Sequence, residues 1–192
     1  SIVITGNNEA TDNSDGIGGT DNSKAALVID ASNLPQGTQL ELKDVEFAVI
    51  LGPATVTGGE GQNLVYAGAG NQTIILGPDD DELHGGDGDD TVGSKGGNDL
   101  IFGENGNDTL FGGAGNDTLH GGAGTDAVTY EGNLADYEVS QVNGTATVTR
   151  RDDATDSDTL VNVEQLQFAD QVLTPESNSQ LQAVATLYSQ VL

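Results

Sequence analysis

The chain of 192 residues has no cysteine, no methionine and no tryptophan, and carries 5 lysines and arginines against 31 aspartates and glutamates. Without cysteine there are no disulfides and no thiolate metal sites, and two histidines do not build a zinc centre without heavy carboxylate help. Oxygen ligands remain. Aromatics make up 4% and hydrophobic residues 35%, and mean hydropathy is −0.30. The bulky side chains that fill an ordinary core are therefore scarce, and something else must supply stability. A formal charge of −26 repels nucleic acid and anionic membrane and attracts cations. The sequence offers no run of about 18 apolar residues for a membrane-inserted helix and no basic-then-apolar N-terminal signal. It opens in "SIVIT" without Met and stops in "LYSQVL", which reads as a piece of a longer polypeptide.

What the chain has is glycine, 28 of them, in a period of nine. From Gly58 to Thr129 the blocks are "GGEGQNLVY", "AGAGNQTII", "LGPDDDELH", "GGDGDDTVG", "SKGGNDLIF", "GENGNDTLF", "GGAGNDTLH" and "GGAGTDAVT". Glycine recurs at positions one, two and four, and an acid or amide stands at position six. Position eight is always apolar: Val65, Ile74, Leu83, Val92, Ile101, Leu110, Leu119 and Val128. Six glycine-rich residues make a turn whose backbone takes φ values other side chains disfavour, and three residues such as Thr-Leu-Phe make a short strand. Two blocks form one coil, and coils stacked at about 4.8 Å give an all-β, right-handed parallel β-roll with the eighth positions inside.

Stacking brings the sixth positions into two columns. One holds Asn63, Asp81, Asp99 and Asp117, the other Gln72, Asp90, Asp108 and Asp126. Like charges at that spacing push coils apart unless a cation lies between them. Calcium suits the task, because it accepts six to eight oxygens in flexible geometry and a glycine turn bares its carbonyls. Pairs with aspartate in both turns are Asp81 with Asp99, Asp99 with Asp117, Asp90 with Asp108, and Asp108 with Asp126. The expectation is about four full calcium sites, beginning near Asp81, with weaker ones at the ends. Asn63 and Gln72, amides rather than acids, mark a first coil held by hydrogen bonds and packing.

These blocks resemble the RTX, or repeats-in-toxin, family, whose motif is Gly-Gly-x-Gly-x-Asp-x-apolar-x. Residues 85–93, 112–120 and 121–129 match at every defined position, while the blocks from Leu76, Ser94 and Gly103 depart at one or more glycines. The resemblance implies calcium ligands in the turns, from carbonyls at positions one to four and the aspartate at six. In this chain those are Asp81; Gly85, Gly86, Asp87 and Gly88 with Asp90; Gly96 and Gly97 with Asp99; and Gly103, Asn105 and Gly106 with Asp108. The last two blocks supply Gly112, Gly113, Ala114 and Gly115 with Asp117, and Gly121, Gly122, Ala123 and Gly124 with Asp126. The resemblance also implies a bacterial protein secreted unfolded by a type I apparatus, which folds on meeting extracellular calcium.

Residues 1–57 read as a strand-rich cap or as solenoid rungs without calcium. Leu40, Leu42, Val45, Phe47, Val49 and Leu51 are taken as inward, and "AALVIDA" at 25–31 as a strand. The polar stretch 6–23 reads as loop. Residues 130–174 form a C-terminal β cap in which Tyr130, Tyr137, Leu160, Val163, Leu166 and Phe168 cover the open end of the roll. Asp152, Asp153, Asp156 and Asp158 are placed in a solvated hairpin loop. Residues 175–192 show helical spacing and read as a short amphipathic helix that packs on the cap or opens a further domain.

Clustered carboxylates invite comparison with solenoid polysaccharide-cleaving enzymes. But the sixth-position acids are committed to metal, no base stands near them, and His84 and His120, two coils apart, are roughly 10 Å from each other. The sequence therefore points to a non-catalytic calcium-binding module of a secreted adhesin or surface-layer protein. The alternative is an accessory folding or carbohydrate-binding module of an extracellular protease, lipase or alginate epimerase. The expected partners are calcium, with surface glycans or another copy of the chain as further candidates.

Overall fold

The computed structural model describes residues 1–5, 27–35, 37–43, 45–142 and 144–174. Its first strands are β1 (Ile2–Thr5), β2 (Leu27–Asp30), β3 (Gln39–Lys43), β4 (Phe47–Leu51), β5 (Thr55–Thr57), β6 (Leu64–Ala67), β7 (Thr73–Ile75), β8 (Glu82–Asp87) and β9 (Thr91–Gly93). There follow β10 (Leu100–Asn105), β11 (Thr109–Phe111), β12 (Thr118–Ala123), β13 (Ala127–Thr129), β14 (Tyr137–Val142), β15 (Thr145–Arg150), β16 (Ser157–Val161), β17 (Gln165–Gln167) and β18 (Val172–Leu173). One sheet runs β1-β3-β5-β7-β9-β11-β13-β17-β18 and the other β14-β15-β16-β12-β10-β8-β6-β4-β2. The molecule is an all-β parallel solenoid of about six turns.

Period nine produces this architecture because successive strands alternate between the two sheets, and each pairs with the strand one coil away. Leu83 aligns with Ile101 and Ile101 with Leu119 in one sheet, while Val92 aligns with Leu110 and Leu110 with Val128 in the other. All eight position-eight side chains are buried. The core is thus a single narrow file of aliphatic residues between two sheets, which accounts for the low aromatic content.

The roll begins before the glycine array. Strands β1 to β5 are parallel rungs of the same two sheets. Leu40, Leu42 and Val45 are buried as expected, but Ala48 and Ile50 are the inward residues of β4, whereas Phe47 and Val49 are half-buried and Leu51 is exposed. Even-numbered residues face inward in both β3 and β4; Val45, buried in the corner between them, is odd-numbered, and counting in twos from it puts Phe47, Val49 and Leu51 on the wrong face. Of the 25–31 stretch, Leu27–Asp30 is strand. The polar stretch 6–23 and the helix expected at 175–192 lie outside the described residues.

After Thr129 the chain makes a 3-10 turn (Leu134–Asp136) and an antiparallel hairpin, β14–β15. It then rejoins the roll, with β16 parallel to β12 and β17 parallel to β13. The tail therefore adds another coil to the stack, and Tyr137, Leu160, Leu166 and Phe168 are buried in its core. Asp158 is a correction: it is not in a solvated loop but in β16, 3% exposed, because β16 continues the register of β12. Asp152 and Asp153 are exposed at the hairpin end.

Position four of the turns needs glycine most. Gly106 has φ of +137°, and a β-carbon there would press on the Gly88 carbonyl oxygen of the preceding coil. Gly106→Ala is expected to cost about 2 kcal/mol from the strained φ and close backbone approach. The cost is read as a lower thermal midpoint at fixed calcium; an unchanged midpoint would show that the turns tolerate rearrangement.

Candidate metal centre

The sixth-position carboxylates form hydrogen-bonded ladders between coils. The N–H of Asn63 donates to Asp81 Oδ1 (2.7 Å), that of Asp81 to Asp99 Oδ1 (2.7 Å), and that of Asp99 to Asp117 Oδ1 (2.8 Å). In the other column the N–H of Gln72 donates to Asp90 Oδ1 (2.7 Å), that of Asp90 to Asp108 Oδ1 (2.8 Å), and that of Asp108 to Asp126 Oδ1 (2.9 Å). One oxygen of each carboxylate thus satisfies a backbone donor of the coil before it.

The second oxygen does not follow suit. Oδ2 of Asp90, Asp99, Asp108, Asp117 and Asp126 is buried with no hydrogen-bond partner, a costly state for an ionised group. Burial, first, and the like charge of the next carboxylate in the column push Asp90 and Asp108 up to about 6 and Asp99 up to about 7. Burial also raises Asp117 and Asp126. The orphan oxygens of Asp90, Asp108, Asp117 and Asp126 each face a space that the position-one glycine leaves open, whereas the block of Asp99 begins with Ser94. A β-carbon on Gly85 would lie 2.9 Å from Asp90 Oδ2, 2.8 Å from the Gly103 carbonyl oxygen and 3.4 Å from that of Phe102. The equivalent atom on Gly103 would meet Asp108 Oδ2 and the Gly121 carbonyl oxygen, and on Gly112 it would meet Asp117 Oδ2. A carboxylate oxygen and a neighbouring coil's main-chain carbonyl therefore recur around one point.

This donor set fits calcium. It is all oxygen, mixes charge with carbonyl dipoles, and sits in turns with room for further ligands. Among the described residues, no three His, Cys, Asp or Glu side chains gather as a ready cage, so main-chain oxygens must carry much of the coordination. Carbonyls at position three already link coils: those of Asp87, Asn105, Ala114 and Ala123 accept from the N–H groups of Gly70, Gly88, Gly97 and Gly106. Each carbonyl has a second lone pair. Gly86, Gly113, Gly122, Gly115 and Gly124 hold left-handed φ that shapes the same turns.

Asp81 differs from the other five aspartates. Its Oδ2 accepts from the Gly77 N–H (3.2 Å), and the single hydroxyl proton of Ser94 is shared between Asp81 Oδ2 (3.3 Å) and the Gly77 carbonyl (2.8 Å). Ser94 stands at position one of its block, so its hydroxyl fills a cradle that glycine leaves open elsewhere. Asn63 and Gln72 use amide nitrogens where the later coils have carboxylates: Asn63 Nδ2 donates to the Val45 carbonyl (2.8 Å), and Gln72 Nε2 to those of Gly52 (3.3 Å) and Gly68 (3.4 Å).

Two sets of residues escaped the sequence reading. Position five carries a second, exposed ladder in the opposite sense. The N–H groups of Asn98, Asn107, Asn116 and Thr125 donate to the side-chain oxygens of Asp80, Asp89, Asn98 and Asn107 one coil earlier, at 2.7–3.1 Å. The run of Asn and Asp at position five was the available signal. The second set closes the columns from outside the array: the N–H of Asp117 donates to Asp158 Oδ1 (3.2 Å) and that of Asp126 to Glu164 Oε2 (2.8 Å). Asp158 Oδ2 accepts from the Tyr130 hydroxyl (3.0 Å), and burial pushes this carboxyl up to about 7.

The histidines pack. Phe102 lies between His84 and His120 in a file of rings with Tyr66, at centroid spacings of 4.1, 4.6 and 5.9 Å. His84 also meets Glu104 (2.8 Å) and Glu82 (3.1 Å).

No curated protein matches the chain. A family model described as the RTX calcium-binding nonapeptide repeat, four copies, matches residues 57–92 and 94–128. Its span coincides with the coils that carry the orphan oxygens and glycine cradles, and residues 57–128 are an array of RTX calcium-binding nonapeptide repeats forming a β-roll.

Proposed function

We propose that this chain is a non-catalytic module of a secreted protein, of adhesin or surface-layer type, which folds and stiffens when its turns take up extracellular calcium. The observation that carries the reading is the row of buried, unpartnered Oδ2 atoms on Asp90, Asp99, Asp108, Asp117 and Asp126. The coordinating groups in this proposal are those oxygens with the carbonyls of the turns at Gly85–Gly88, Gly96–Gly97, Gly103–Gly106, Gly112–Gly115 and Gly121–Gly124. Bound calcium supplies neutralising charge between coils that otherwise repel.

The scaffold reading is favoured over a carbohydrate-binding accessory role by the ring file on the β4–β6–β8–β10–β12 sheet. Tyr66, His84 and Phe102 stack on one another, so their faces are not free to lie against a sugar. A chain with its charge of −26 meets like-charged partners, glycans or a second copy, through bridging calcium.

Calorimetric titration with calcium and then magnesium tests the reading. Calcium is expected to bind at several sites with large heat, and magnesium weakly, because magnesium demands a compact octahedral shell and gives up water reluctantly. Equal binding of the two ions, or none, would overturn it.

A further inference from the structure

The repeat array ends at Thr129, yet the geometry of a calcium turn recurs once more beyond it. We infer that Asn162 and Glu164, which lie outside the repeats, complete a further calcium site with Asp126. This rests on the calcium reading of the array.

The register makes the case. Within the array, the residue after position six donates its N–H to the position-six carbonyl one coil back: Thr109 to Asp90 (2.8 Å) and Ala127 to Asp108 (2.8 Å). Gln165 does the same to Asp126 (2.9 Å), which puts Glu164 in the sixth position of a coil that has no nonapeptide motif. Its side chain behaves accordingly, with Oε2 accepting the Asp126 N–H at 2.8 Å as Asp126 Oδ1 accepts that of Asp108 at 2.9 Å.

Position one is replaced as well. A β-carbon on Gly85 would meet the Gly103 carbonyl, and on Gly103 the Gly121 carbonyl; on Gly121 it would meet the carbonyl of Asn162 together with Asp126 Oδ2. Asn162 reaches this place with φ of +50°, a left-handed conformation that asparagine tolerates better than most residues. His120 pairs with Val161 and Ala127 with Gln165, so a turn of residues 121–126 is matched by one of residues 162–164. The turn is shorter, and glutamate's extra methylene compensates by lengthening the reach of the acid.

The independent sign of a ligand is Asp126 itself. It is 0% exposed, and its Oδ2 has no partner. The other column ends differently, because Asp158 has both oxygens engaged, by the Asp117 N–H and the Tyr130 hydroxyl. Asp117 Oδ2 is bare as Asp126 Oδ2 is, so the two columns differ only at their terminators, and the cation site at Glu164 ties β17 to the array.

The test compares the full chain with Glu164→Gln, which keeps an acceptor for the Asp126 N–H but removes the charge. Glu138→Gln, an exposed acid on β14, serves as control. Calcium binding is followed by calorimetry, and hydrogen exchange follows the amides of Gln165–Gln167. Glu164→Gln is expected to lose one calcium, or to bind it roughly tenfold more weakly, and calcium-dependent protection of those amides should fall while that of β11 holds. A wild-type chain that binds calcium while Glu164→Gln matches it in number and affinity overturns this site alone. A wild-type chain that binds none overturns the reading of the array and this site together.

Discussion

In chelator near neutral pH the chain is expected to lose most of its β signal in far-UV circular dichroism, and calcium, not magnesium, should restore it cooperatively. Five buried carboxylates each carry an unpartnered oxygen, and a thin aliphatic file is all the core that opposes their cost. The sign of the pH dependence follows from the same groups. An unfolded aspartate titrates near 3.9, whereas Asp90 and Asp108 are raised to about 6 and Asp99 to about 7 in the roll. The folded state therefore holds more protons than the unfolded between roughly pH 4 and 7, and the metal-free roll loses stability as pH rises through that window. Mild acid should then rescue β structure in chelator, while protons compete with calcium and weaken its binding. Unchanged β structure in chelator from mild acid to neutral pH would mean that the hydrogen-bonded ladders hold the fold without help.

The second large effect separates a charged column member from an uncharged one. Asp108 accepts the Asp90 N–H, bonds its own N–H to Asp126 and leaves Oδ2 bare. Asp108→Ala in saturating calcium is expected to cost about 3 kcal/mol, from a lost charged hydrogen bond and a lost ligand. In chelator the cost should shrink or reverse, because an uncompensated buried carboxylate goes with it. Gln72→Ala removes two long amide hydrogen bonds, at 3.3 and 3.4 Å, and should cost about 1 kcal/mol with or without calcium. Thermal midpoints in the two media distinguish the variants. A loss at Asp108 that ignores calcium would sink the assignment of its Oδ2 as a ligand.

How far the sequence leads depends on how local the cause is. The eighth-position core and the sixth-position columns follow from a period that any stretch of the array displays, so Leu83, Ile101 and Asp108 are readable without coordinates. Phe47 and Val49 are misplaced because Val45 is buried in a corner rather than in a strand, and nothing in "LELKDVEFAVIL" marks it as outside the alternation that Leu40, Leu42, Ala48 and Ile50 share. Asp158 and Glu164 were hidden for another reason. They enter the columns 41 and 38 residues after their partners rather than 18, because a hairpin is inserted in between. The closure of Asp81 depends on a serine 13 residues away, visible as a motif departure but not as a hydroxyl donor.

Those unequal offsets also govern how such an array can change length. One column is terminated by an aspartate bonded to a tyrosine, the other by a glutamate on a short turn. Deleting or duplicating two adjacent nonapeptides leaves every side chain facing its proper terminator. Adding or removing one would hand each column to the wrong end piece, with the glutamate on the hairpin side. Growth of the roll is therefore counted in pairs, and its C-terminal coil acts as a parity check on any insertion or deletion upstream.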